Sequence, residues 1–312
     1  MPELPEVETI RRGLKPVEGR RIQSAEFGLP RLILGAKAAE LTRRLRGRLI
    51  KALLRRGKYL ILELDGDTLV FHLGMTGQLT FAPPHAKEDA RFLRTVTGLQ
   101  KAVGVHPVDA HTHAILHLDN GGRLQFRDPR TFGKILFISG HDWKDHPRLR
   151  KLGEEPLDLK IEPFLAKNYP SGSRRSIKAL LLDQSFLAGV GNIYADEALF
   201  LSGIHPQKPS SSLTPAERTR LLKAVKTVLR DGIRNQGTTF SDYRKPDGTN
   251  GKNFERLKVY GRGGQPCRNC KTVLIKTVIA QRGTVFCPEC QPLRRSSKKR
   301  AALKKQVNKR TK

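Results

Sequence analysis

The first residues of the chain could supply a nucleophile and an acid. Met1 is followed by Pro2 and Glu3, and an initiator methionine is usually removed when a small residue follows it. Removal would leave a secondary amine with a pKa of about 8, so that part of it is uncharged near neutral pH. An uncharged amine can attack an electrophilic carbon and form an iminium, as lysine does in Schiff-base enzymes. A proline at position 2 can also serve only N-terminal processing, and these residues alone leave both interpretations open.

Three carboxyl groups, those of Glu3, Glu6 and Glu8, follow that amine closely in the sequence. A general acid must lie within hydrogen-bond reach of the group that it protonates, and adjacency makes this feasible for Glu3. Acidic residues in the first turn of a helix also complement the helix dipole, and we prefer that interpretation for Glu8.

Four cysteines near the end of the chain have the spacing of a structural zinc site. Cys267 and Cys270 form one CxxC pair, sixteen residues follow, and Cys287 and Cys290 form the second pair. Two such pairs place four thiolates tetrahedrally around one Zn²⁺ ion and leave no open coordination position. A redox dithiol would need only one pair. We therefore predict one structural zinc ion without a catalytic role.

Between the two cysteine pairs the sequence predicts a β-hairpin. The apolar segments 273–275 and 284–286 flank residues 281–283, which places Arg282 near the tip. An arginine there could clamp phosphates or reach into a groove of nucleic acid. A solvated surface charge would fit the sequence equally well.

Two other segments could bind a phosphate. The glycine-rich residues 189–192 precede an apolar helical segment, and N–H groups at a helix N-terminus form an anion site. A plain junction between two helices is the alternative. Lys58 lies in a basic turn and is the second candidate.

A further group of residues could interrupt stacked bases. Met75 lies between glycines at a strand end, where it would be exposed, and an exposed methionine can act as a wedge between bases. A single methionine is more often part of a core. The turn around Arg130 and Phe132 offers a cation and an aromatic ring for the same task, whereas we interpret His111 and His113 as surface histidines.

The elements that must position these residues fall into two groups. A helix is predicted from residue 5 to about residue 18, because Val7, Ile10 and Leu14 share one face. Short strands with tight turns then predict an N-terminal β-sandwich or barrel-like domain. The predicted strands span residues 59–64, 68–73, 114–118, 123–126 and 134–138.

From residue 171 onward the pattern is helical. Helices are predicted over 177–182 and 195–201, and Thr214 caps a third helix that runs to about Ile233. The fold class is α+β. The predicted organisation is a sandwich domain over 2–146, a linker over 147–170, a helical domain over 171–264, a zinc finger over 265–292 and a basic tail over 293–312.

The chain has a large excess of basic residues. It contains 59 lysines and arginines against 29 acidic residues, a formal net charge of +30. Ten of these basic residues and no acidic residue lie in 293–312, so 49 basic residues still face 29 acidic ones in the rest of the chain. Such a field favours a polyanion and speeds its encounter with the protein.

A membrane role is not indicated. The sequence has no apolar run long enough to span a bilayer, its acidic N-terminus lacks a signal-peptide core, and no amphipathic basic helix carries an aromatic face. The cysteines are confined to 267–290, so no disulfide framework serves the rest of the chain. We therefore expect a cytoplasmic monomer.

These segments jointly resemble the formamidopyrimidine-DNA glycosylase family, bacterial enzymes that excise oxidised purines. The similarity runs in family order from residue 2 to about residue 290. The matching segments are 2–9, 58–60, 72–77, 128–133, 189–195 and 259–262, together with the four cysteines. The resemblance implies a β-sandwich, a helix-two-turn-helix domain and a zinc-finger hairpin, with damaged double-stranded DNA as partner and no redox or nucleotide cofactor.

The resemblance also implies catalytic roles. Pro2 is implied as the nucleophile that attacks C1′ of the damaged nucleotide, Glu3 as the group that handles protons at the sugar, and Glu6 as part of the base pocket. The resulting iminium would acidify the sugar, so that β,δ-elimination cuts the strand on both sides of the site.

For DNA binding, the resemblance implies that Lys58 contacts a phosphate near the lesion. Asn192 and Arg282 would grip further phosphates, and residues 237–254 would close over the flipped base. A wedge would fill the gap left by that base, with Arg130 facing the orphan cytosine. The implied wedge residues are Met75, Arg130 and Phe132, and the matching segments add His72 and Tyr260 to the DNA-binding set.

Three features depart from the family pattern. Thr131 stands where many relatives carry a second arginine, and the segment 82–109 looks longer than usual. The tail over 293–312 extends beyond the finger, and we predict that it is disordered and adds salt-sensitive, non-specific DNA affinity.

Two alternative functions stay open at this point. Endonuclease VIII-like glycosylases, which prefer oxidised pyrimidines, share the proline and the finger, although Leu4 and the wedge set favour the purine class. The second alternative is a non-catalytic, zinc-containing DNA-binding protein. The adjacent Pro2 and Glu3 argue against it, because simple binding needs neither.

Overall fold

The computed structural model describes residues 1–84, 108–239, 243–247 and 249–293. Most of the predicted insertion and tail lie outside these residues. The helices are α1 (Leu4–Gly13), α2 (Ala38–Leu45), α3 (Ile161–Asn168), α4 (Ile177–Leu182), α5 (Asn192–Leu201) and α6 (Pro215–Arg234). The strands are β1 (Ile22–Phe27), β2 (Ile33–Leu34), β3 (Ile50–Arg56), β4 (Tyr59–Leu64), β5 (Asp67–His72), β6 (Gln78–Ala82), β7 (Thr112–Leu118), β8 (Arg123–Arg127), β9 (Lys134–Ser139), β10 (Ile275–Ile279) and β11 (Arg282–Phe286).

The first nine strands form two sheets that pack face to face. A five-stranded sheet has the order β2-β9-β5-β4-β3, and a four-stranded sheet has the order β1-β7-β8-β6. Alternate residues of both sheets, such as Leu62 and Leu116, meet in one apolar core with α1 and α2. Each strand directs one side into this core, and β4, β5 and β9 are also covered on the other side, where Ile61, Val70 and Leu136 pack with Trp143. The two packed sheets confirm the predicted N-terminal β-sandwich.

Helix α1 is shorter than predicted. It ends at Gly13, and residues Lys15–Val17 form a separate 3₁₀ turn. Pro16 explains the break, because proline lacks the N–H group that a continuing helix needs and restricts the residue before it.

The second half of the molecule has its own apolar core, built from α3 to α6. The capping box of α6 forms as predicted, with Thr214 Oγ1 accepting from the N–H of Glu217 at 3.2 Å. The predicted linker over 147–170 contains α3, and Phe164 of this helix is buried in the helical core. The segment thus contributes to packing as well as connecting the two cores.

The C-terminal hairpin consists of β10 and β11, paired from Ile275 opposite Phe286 to Ile279 opposite Arg282. Its two-residue turn is formed by Ala280 and Gln281, which have positive φ values of 51° and 57°. The strands are longer than predicted and the turn lies one residue earlier, but Arg282 does lie next to the tip. No helix of the described residues is long and apolar enough to cross a membrane.

Candidate active site

Helix α1 lies at the boundary between the sandwich core and the helical core, which we call the seam, and the start of the chain lies there too. Leu4 packs in the helical core, whereas Val7 and Ile10 on the same helix pack in the sandwich core. The Leu4 N–H donates to the carbonyl oxygen of Gly189 at 3.0 Å. Pro2 is buried in this seam, while Met1 is 51% exposed. Removal of Met1 would therefore place the Pro2 amine at the seam without disturbing a packed residue.

Glu3 is buried against the first turn of α5. Its carboxylate accepts from the N–H groups of Ile193 at 2.8 Å and Tyr194 at 3.4 Å. A Cβ atom at Gly191 would collide with this carboxyl group, so the close approach requires glycine there. Burial raises the pKa of Glu3, while the positive charge of Lys58 opposes the rise.

The first turn of α5 thus already binds an anion. Residues 189–192 were predicted to present N–H groups to a phosphate, and this stays a prediction, whereas the N–H groups of Ile193 and Tyr194, which follow that segment, bind the Glu3 carboxylate. The anion at this helix N-terminus is therefore part of the protein. A carboxylate is favoured there for the same reason as a phosphate, because the end of the helix carries partial positive charge.

Glu6 lies one turn further along α1 and is also buried. Its carboxylate accepts from the N–H of Glu3 at 2.9 Å, the hydroxyl of Tyr194 at 2.7 Å and the N–H of Thr238 at 2.7 Å. Burial and the nearby charge of Glu3 raise the pKa of Glu6 to about 7. Glu3 and Glu6 are therefore protonated more readily than glutamates in water.

Lys58 supplies the positive charge of this pocket. It is 7% exposed, and burial lowers its pKa while Glu3 and Glu6 oppose the shift. The preceding turn is held by Glu155, which accepts from the N–H of Gly57 at 2.6 Å and from Arg55 at 2.7 Å. A buried lysine beside two carboxyl groups stays charged more easily than one that is buried alone.

Next to Lys58, His72 ends strand β5. Its ring lies 4.8 Å from the ring of Tyr59, and its Nδ1 accepts from the N–H of Gly74 at 3.2 Å. Burial and the charge of Lys58 lower the pKa of His72 to about 4. His72 is therefore neutral near pH 7 and can act as a hydrogen-bonding group, not as a cation.

Met75 and the loop 128–133 form the exposed edge of the site. Met75 is 41% exposed and Phe132 is 53% exposed, which is unusual for side chains of this size. The guanidinium of Arg130 lies 5.0 Å from the centre of the Phe132 ring. The structure thus places the three predicted wedge residues in two adjacent loops, with their apolar surface directed to solvent.

The finger hairpin reaches the same seam from the opposite side. Asn192 Nδ2 donates to the carbonyl oxygen of Gly283 at 2.9 Å, next to the exposed Arg282. Arg282 is close enough to Lys58 for its charge to lower the pKa of that lysine. Tyr260 lies nearby, and burial and the charge of Glu3 raise its pKa. Pro2, Glu3, Lys58, Asn192, Tyr260 and Arg282 therefore converge from distant parts of the sequence.

A buried ion pair that the sequence analysis did not single out attaches the finger to the helices. Lys178 Nζ lies 2.6 Å from Asp196 Oδ1, and both side chains are inaccessible to solvent. Lys178 also donates to Thr284 Oγ1 at 2.7 Å, and Asp196 accepts from the N–H of Val285 at 3.0 Å. The available signal was a single lysine within the apolar stretch of α4.

The four cysteines are brought together as predicted. All four sulfur atoms lie within 4.8 Å of one another, which suits the edge of about 3.8 Å in a ZnS₄ tetrahedron. Backbone and side-chain N–H groups of Asn269 point at the sulfur atoms of Cys267 and Cys290, at 3.4 Å and 3.3 Å. Thiolates need such donors, so the arrangement fits one structural Zn²⁺ ion.

Comparison with known families agrees with this arrangement in all three parts of the molecule. The model of the formamidopyrimidine-DNA glycosylase N-terminal domain matches residues 1–135, and that of the formamidopyrimidine-DNA glycosylase H2TH domain matches residues 152–244. The zinc finger found in FPG and IleRS matches residues 264–293. The chain belongs to the formamidopyrimidine-DNA glycosylase family. The resemblance inferred from the sequence is thereby confirmed.

Several family members are similar over almost their whole length. The formamidopyrimidine-DNA glycosylase of Heliobacterium modesticaldum is 43% identical over 293 residues, which is 93% of this chain and 100% of the relative. The Symbiobacterium thermophilum enzyme of the same name is 42% identical over 294 residues, 94% of this chain and 90% of the relative.

Solved structures of the formamidopyrimidine-DNA glycosylase family share the fold. The MutM (Fpg) protein of Thermus thermophilus has a TM-score of 0.77 at 40% identity, and covers 93% of this chain and 98% of its own. Lactococcus lactis Fpg in complex with DNA containing Fapy-dG has a TM-score of 0.79 at 33% identity, with 93% and 100% covered.

In this member of the formamidopyrimidine-DNA glycosylase family, one further expectation is wrong. His113 is 7% exposed and its Nε2 donates to the carbonyl oxygen of Asp128 at 2.9 Å, so it is not a surface histidine. The alternation of β7 did not indicate this, because the sandwich core takes Ala114 and Leu116, and His113 lies on the opposite face of the strand. His111 is exposed as expected.

Proposed function

We propose that this protein is a base-excision-repair DNA glycosylase and AP lyase that removes oxidised purines such as 8-oxoguanine and formamidopyrimidines. One observation carries the proposal. The buried Pro2 lies next to Glu3, whose carboxylate is held by α5 and lies close to Lys58. The names of the relatives and the Fapy-dG in the Lactococcus lactis complex support the substrate class.

The chemistry follows from the groups in this pocket. After removal of Met1, the neutral amine of Pro2 attacks C1′ of the damaged nucleotide, and the base leaves with the electron pair of its bond to C1′ and takes up a proton from water. The Pro2 nitrogen loses its proton to solvent. Glu3, whose pKa is raised by burial, donates a proton to the ring oxygen O4′ as the C1′–O4′ bond breaks, which opens the sugar and leaves an iminium between Pro2 and C1′. The iminium then acidifies the neighbouring C2′–H, and successive β- and δ-eliminations release both ends of the cut strand.

The remaining residues bind and open the duplex. Lys58, Asn192 and Arg282 surround the seam, and we assign them to the phosphates of the lesion strand. A base must leave the stack before C1′ can be reached, and the wedge side chains offset the lost stacking. We assign this role to Met75 and Phe132, which are largely exposed. Zinc supplies no chemistry, because four thiolates complete its coordination.

Oxidised pyrimidines are a second candidate substrate class. A structure of Lactococcus lactis Fpg contains DNA with an oxidised pyrimidine. That protein is 34% identical to this chain, and the match covers 93% of this chain. Side-by-side excision of 8-oxoguanine opposite cytosine and of thymine glycol distinguishes the two classes. We expect faster excision of 8-oxoguanine.

Borohydride trapping tests the covalent step directly. Mass spectrometry first establishes that the purified protein begins at Pro2, since retained Met1 would block the amine. The protein is then incubated with a duplex carrying 8-oxoguanine opposite cytosine, in the presence of borohydride. We expect a covalent adduct in which the modified residue is Pro2, and its loss or sharp reduction in the Pro2→Gly variant.

Two results would contradict the proposal. An adduct located on Lys58 would assign the nucleophile to another amine. No adduct on either the 8-oxoguanine or the thymine glycol duplex, from protein that begins at Pro2, would favour a DNA-binding protein without catalysis.

A further inference from the structure

The two loops that carry the exposed wedge side chains share a single buried carboxylate. Asp128 is inaccessible to solvent. Its Oδ1 accepts from Thr76 Oγ1 at 2.5 Å, and Thr76 directly follows Met75. Its Oδ2 accepts from the N–H of Gly133 at 2.7 Å, and Oδ1 also receives the N–H of Arg130 at 3.3 Å. One side chain therefore spans both loops.

The backbones of the two loops also touch. Gly74 has a φ of +60°, and a Cβ atom placed there would lie 2.7 Å from the N–H nitrogen of Gly133 and from the carbonyl carbon of Phe132. Only glycine permits this approach. The carbonyl oxygen of Asp128 receives the buried His113 Nε2 at 2.9 Å, which attaches the same residue to β7. The two loops thus form one packed unit at the end of the sandwich.

The conformation of the second loop needs this support. Thr131 lies between Arg130 and Phe132 with a φ of +56°, a region that a β-branched residue rarely adopts. Such a conformation persists only where the surrounding contacts determine it. Here the N–H of Thr131 donates to the carbonyl oxygen of Asp128 at 3.1 Å, and its hydroxyl accepts from Arg31 at 3.0 Å.

We propose that Asp128 is a positioning residue that couples the Met75 loop to the Arg130–Phe132 loop, so that the three wedge side chains enter the duplex as one unit. This inference rests on the proposed function. Asp128 does not reach the DNA itself, because its side chain is buried beneath the loops. Its effect should therefore be confined to steps that need the wedge, which are base eversion and recognition of the opposite base.

The Asp128→Asn variant separates this role from general stability. Asparagine has nearly the same shape, but its NH₂ group replaces one acceptor oxygen. In either orientation of the amide, this group faces a backbone N–H of the second loop, that of Arg130 or that of Gly133, so the bonds of Asp128 cannot all be kept. The matched control is Asp67→Asn, since Asp67 is equally buried and is paired with Arg44 at the other end of β5. Both variants lose a buried carboxylate, but only the first weakens the connection between the loops.

The kinetic readout compares two reactions of each protein. One is excision of 8-oxoguanine from a duplex, which needs the wedge, and the other is strand cleavage at a preformed abasic site, which has no base to evert. We expect Asp128→Asn to lower the ratio of the first rate to the second by between about tenfold and a hundredfold. Discrimination between cytosine and adenine opposite the lesion should also weaken, whereas Asp67→Asn should leave both quantities as in the unmodified protein.

Hydrogen exchange of the DNA-free protein provides a readout that does not depend on activity. Asp128→Asn should speed exchange of amides in both 74–77 and 130–133, by about tenfold for each hydrogen bond lost. Thr76 Oγ1 also accepts from the N–H of Arg130 directly, at 3.3 Å, so coupling through Asp128 is read at Gly133, whose N–H bonds Asp128. Thr76→Val should speed exchange of the Gly133 amide, and the double variant should add little to either single one there. Thr76→Ser, which keeps the hydroxyl, should restore the slow exchange.

Three outcomes would overturn the inference. Equal loss of both reaction rates in Asp128→Asn would indicate a merely structural role, especially if Asp67→Asn behaves in the same way. Additive rate effects of Asp128→Asn and Thr76→Val would show that the loops are not coupled. If Asp128→Asn speeds exchange only in 130–133, the loops are not coupled in the DNA-free protein. This measurement does not depend on glycosylase activity, so it tests the inference even if the proposed function is wrong.

Discussion

The acidic pocket around Glu3 and Glu6 and the wedge formed by Met75, Arg130 and Phe132 differ in what the protein holds fixed. In the pocket, the side chains of Glu3 and Glu6 are themselves buried and accept hydrogen bonds from distant segments, Glu3 from Ile193 and Glu6 from Thr238. In the wedge, the side chains of Met75 and Phe132 are exposed, and Asp128 holds the loops beneath them through the Thr76 hydroxyl and the N–H of Gly133. Groups that carry out chemistry are therefore fixed before DNA binds. Groups that replace a base complete their packing only in the complex.

The largest expected effect concerns the pocket. Glu3→Gln should lower the single-turnover rate of 8-oxoguanine excision by about a hundredfold or more, because general acid–base groups contribute on that scale. The amide oxygen of glutamine can still accept from the N–H of Ile193, so the fold should be retained. The rate is measured on a duplex with protein in excess.

Glu8→Gln is the matched control on the same helix. Glu8 pairs with Arg11, Arg12 and Arg55, and in the described part of the chain its carboxylate has no hydrogen bond to Glu3, Glu6 or Lys58. Its loss should lower the free energy of unfolding with little change in excision. If Glu3→Gln excises as fast as Glu8→Gln, then burial of Glu3 serves packing and our distinction between the two regions fails.

An intermediate effect concerns the stability of the pocket as a function of pH. The pKa of Glu6 is raised from 4.5 to about 7, so the folded state binds a proton more tightly than the unfolded state. Its stabilising contribution is fully present below pH 4.5 and is lost as the pH rises through about 7. A shift of this size corresponds to roughly 3 kcal/mol in the free energy of unfolding.

Urea unfolding at about pH 5 and about pH 8 measures how much the free energy of unfolding falls between these two pH values. Glu6→Gln should remove its own part of the decline with pH, while Glu3 and Asp196, whose pKa values burial also raises, keep the remainder. Glu8 should act in the opposite sense, because its arginine partners outweigh burial and lower its pKa to about 2, so its contribution is lost only in strong acid. An identical pH profile for the unmodified protein and Glu6→Gln would mean that Glu6 is not buried as described.

The smallest effect concerns the wedge. Phe132→Ala should change the free energy of unfolding by no more than about 0.5 kcal/mol, because Phe132 is 53% exposed. Excision from a duplex should fall by about tenfold, since stacking of an aromatic ring on a base contributes about 1–3 kcal/mol. Chemical denaturation and single-turnover excision measure the two quantities on the same preparation.

Leu201→Ala is the control for loss of an exposed apolar side chain. Leu201 is also 53% exposed and ends α5, at the opposite end of this helix from Asn192. It should leave excision unchanged. Equal effects of the two variants would show that Phe132 does not enter the duplex, and a large loss of stability in Phe132→Ala would remove the contrast with the pocket.

Features with short sequence separation were predictable. The two CxxC pairs brought together four sulfur atoms, as their spacing indicated. The capping box at Thr214 and Glu217 formed, and the strands of the sandwich followed the alternation of apolar residues. The capping residues and the members of each cysteine pair are a few positions apart, and the apolar residues of a strand repeat with its period, so chain geometry limits where they can lie. The two cysteine pairs lie at the two ends of one hairpin, which brings them together.

The family motifs identified the remaining site residues, but they did not predict which groups surround each of them. Pro2, Glu3, Lys58 and Arg282 could be named from the sequence, yet it did not show that Glu3 would bind the N–H groups in the first turn of α5. It also did not show that Lys178 and Asp196 would form a buried pair beneath Arg282. No periodicity connects residues that lie on different elements.

The sequence by itself therefore determined the zinc ligands, the local elements and the residue types available for chemistry. Only the tertiary structure decided which of them share an environment, because contacts such as that between Glu3 and Ile193 join residues 190 positions apart. Burial then set the raised pKa of Glu6 and the lowered pKa of His72, since removing water penalises whichever form is charged. The same packing joined Thr76 to Asp128 and gave the wedge its common support.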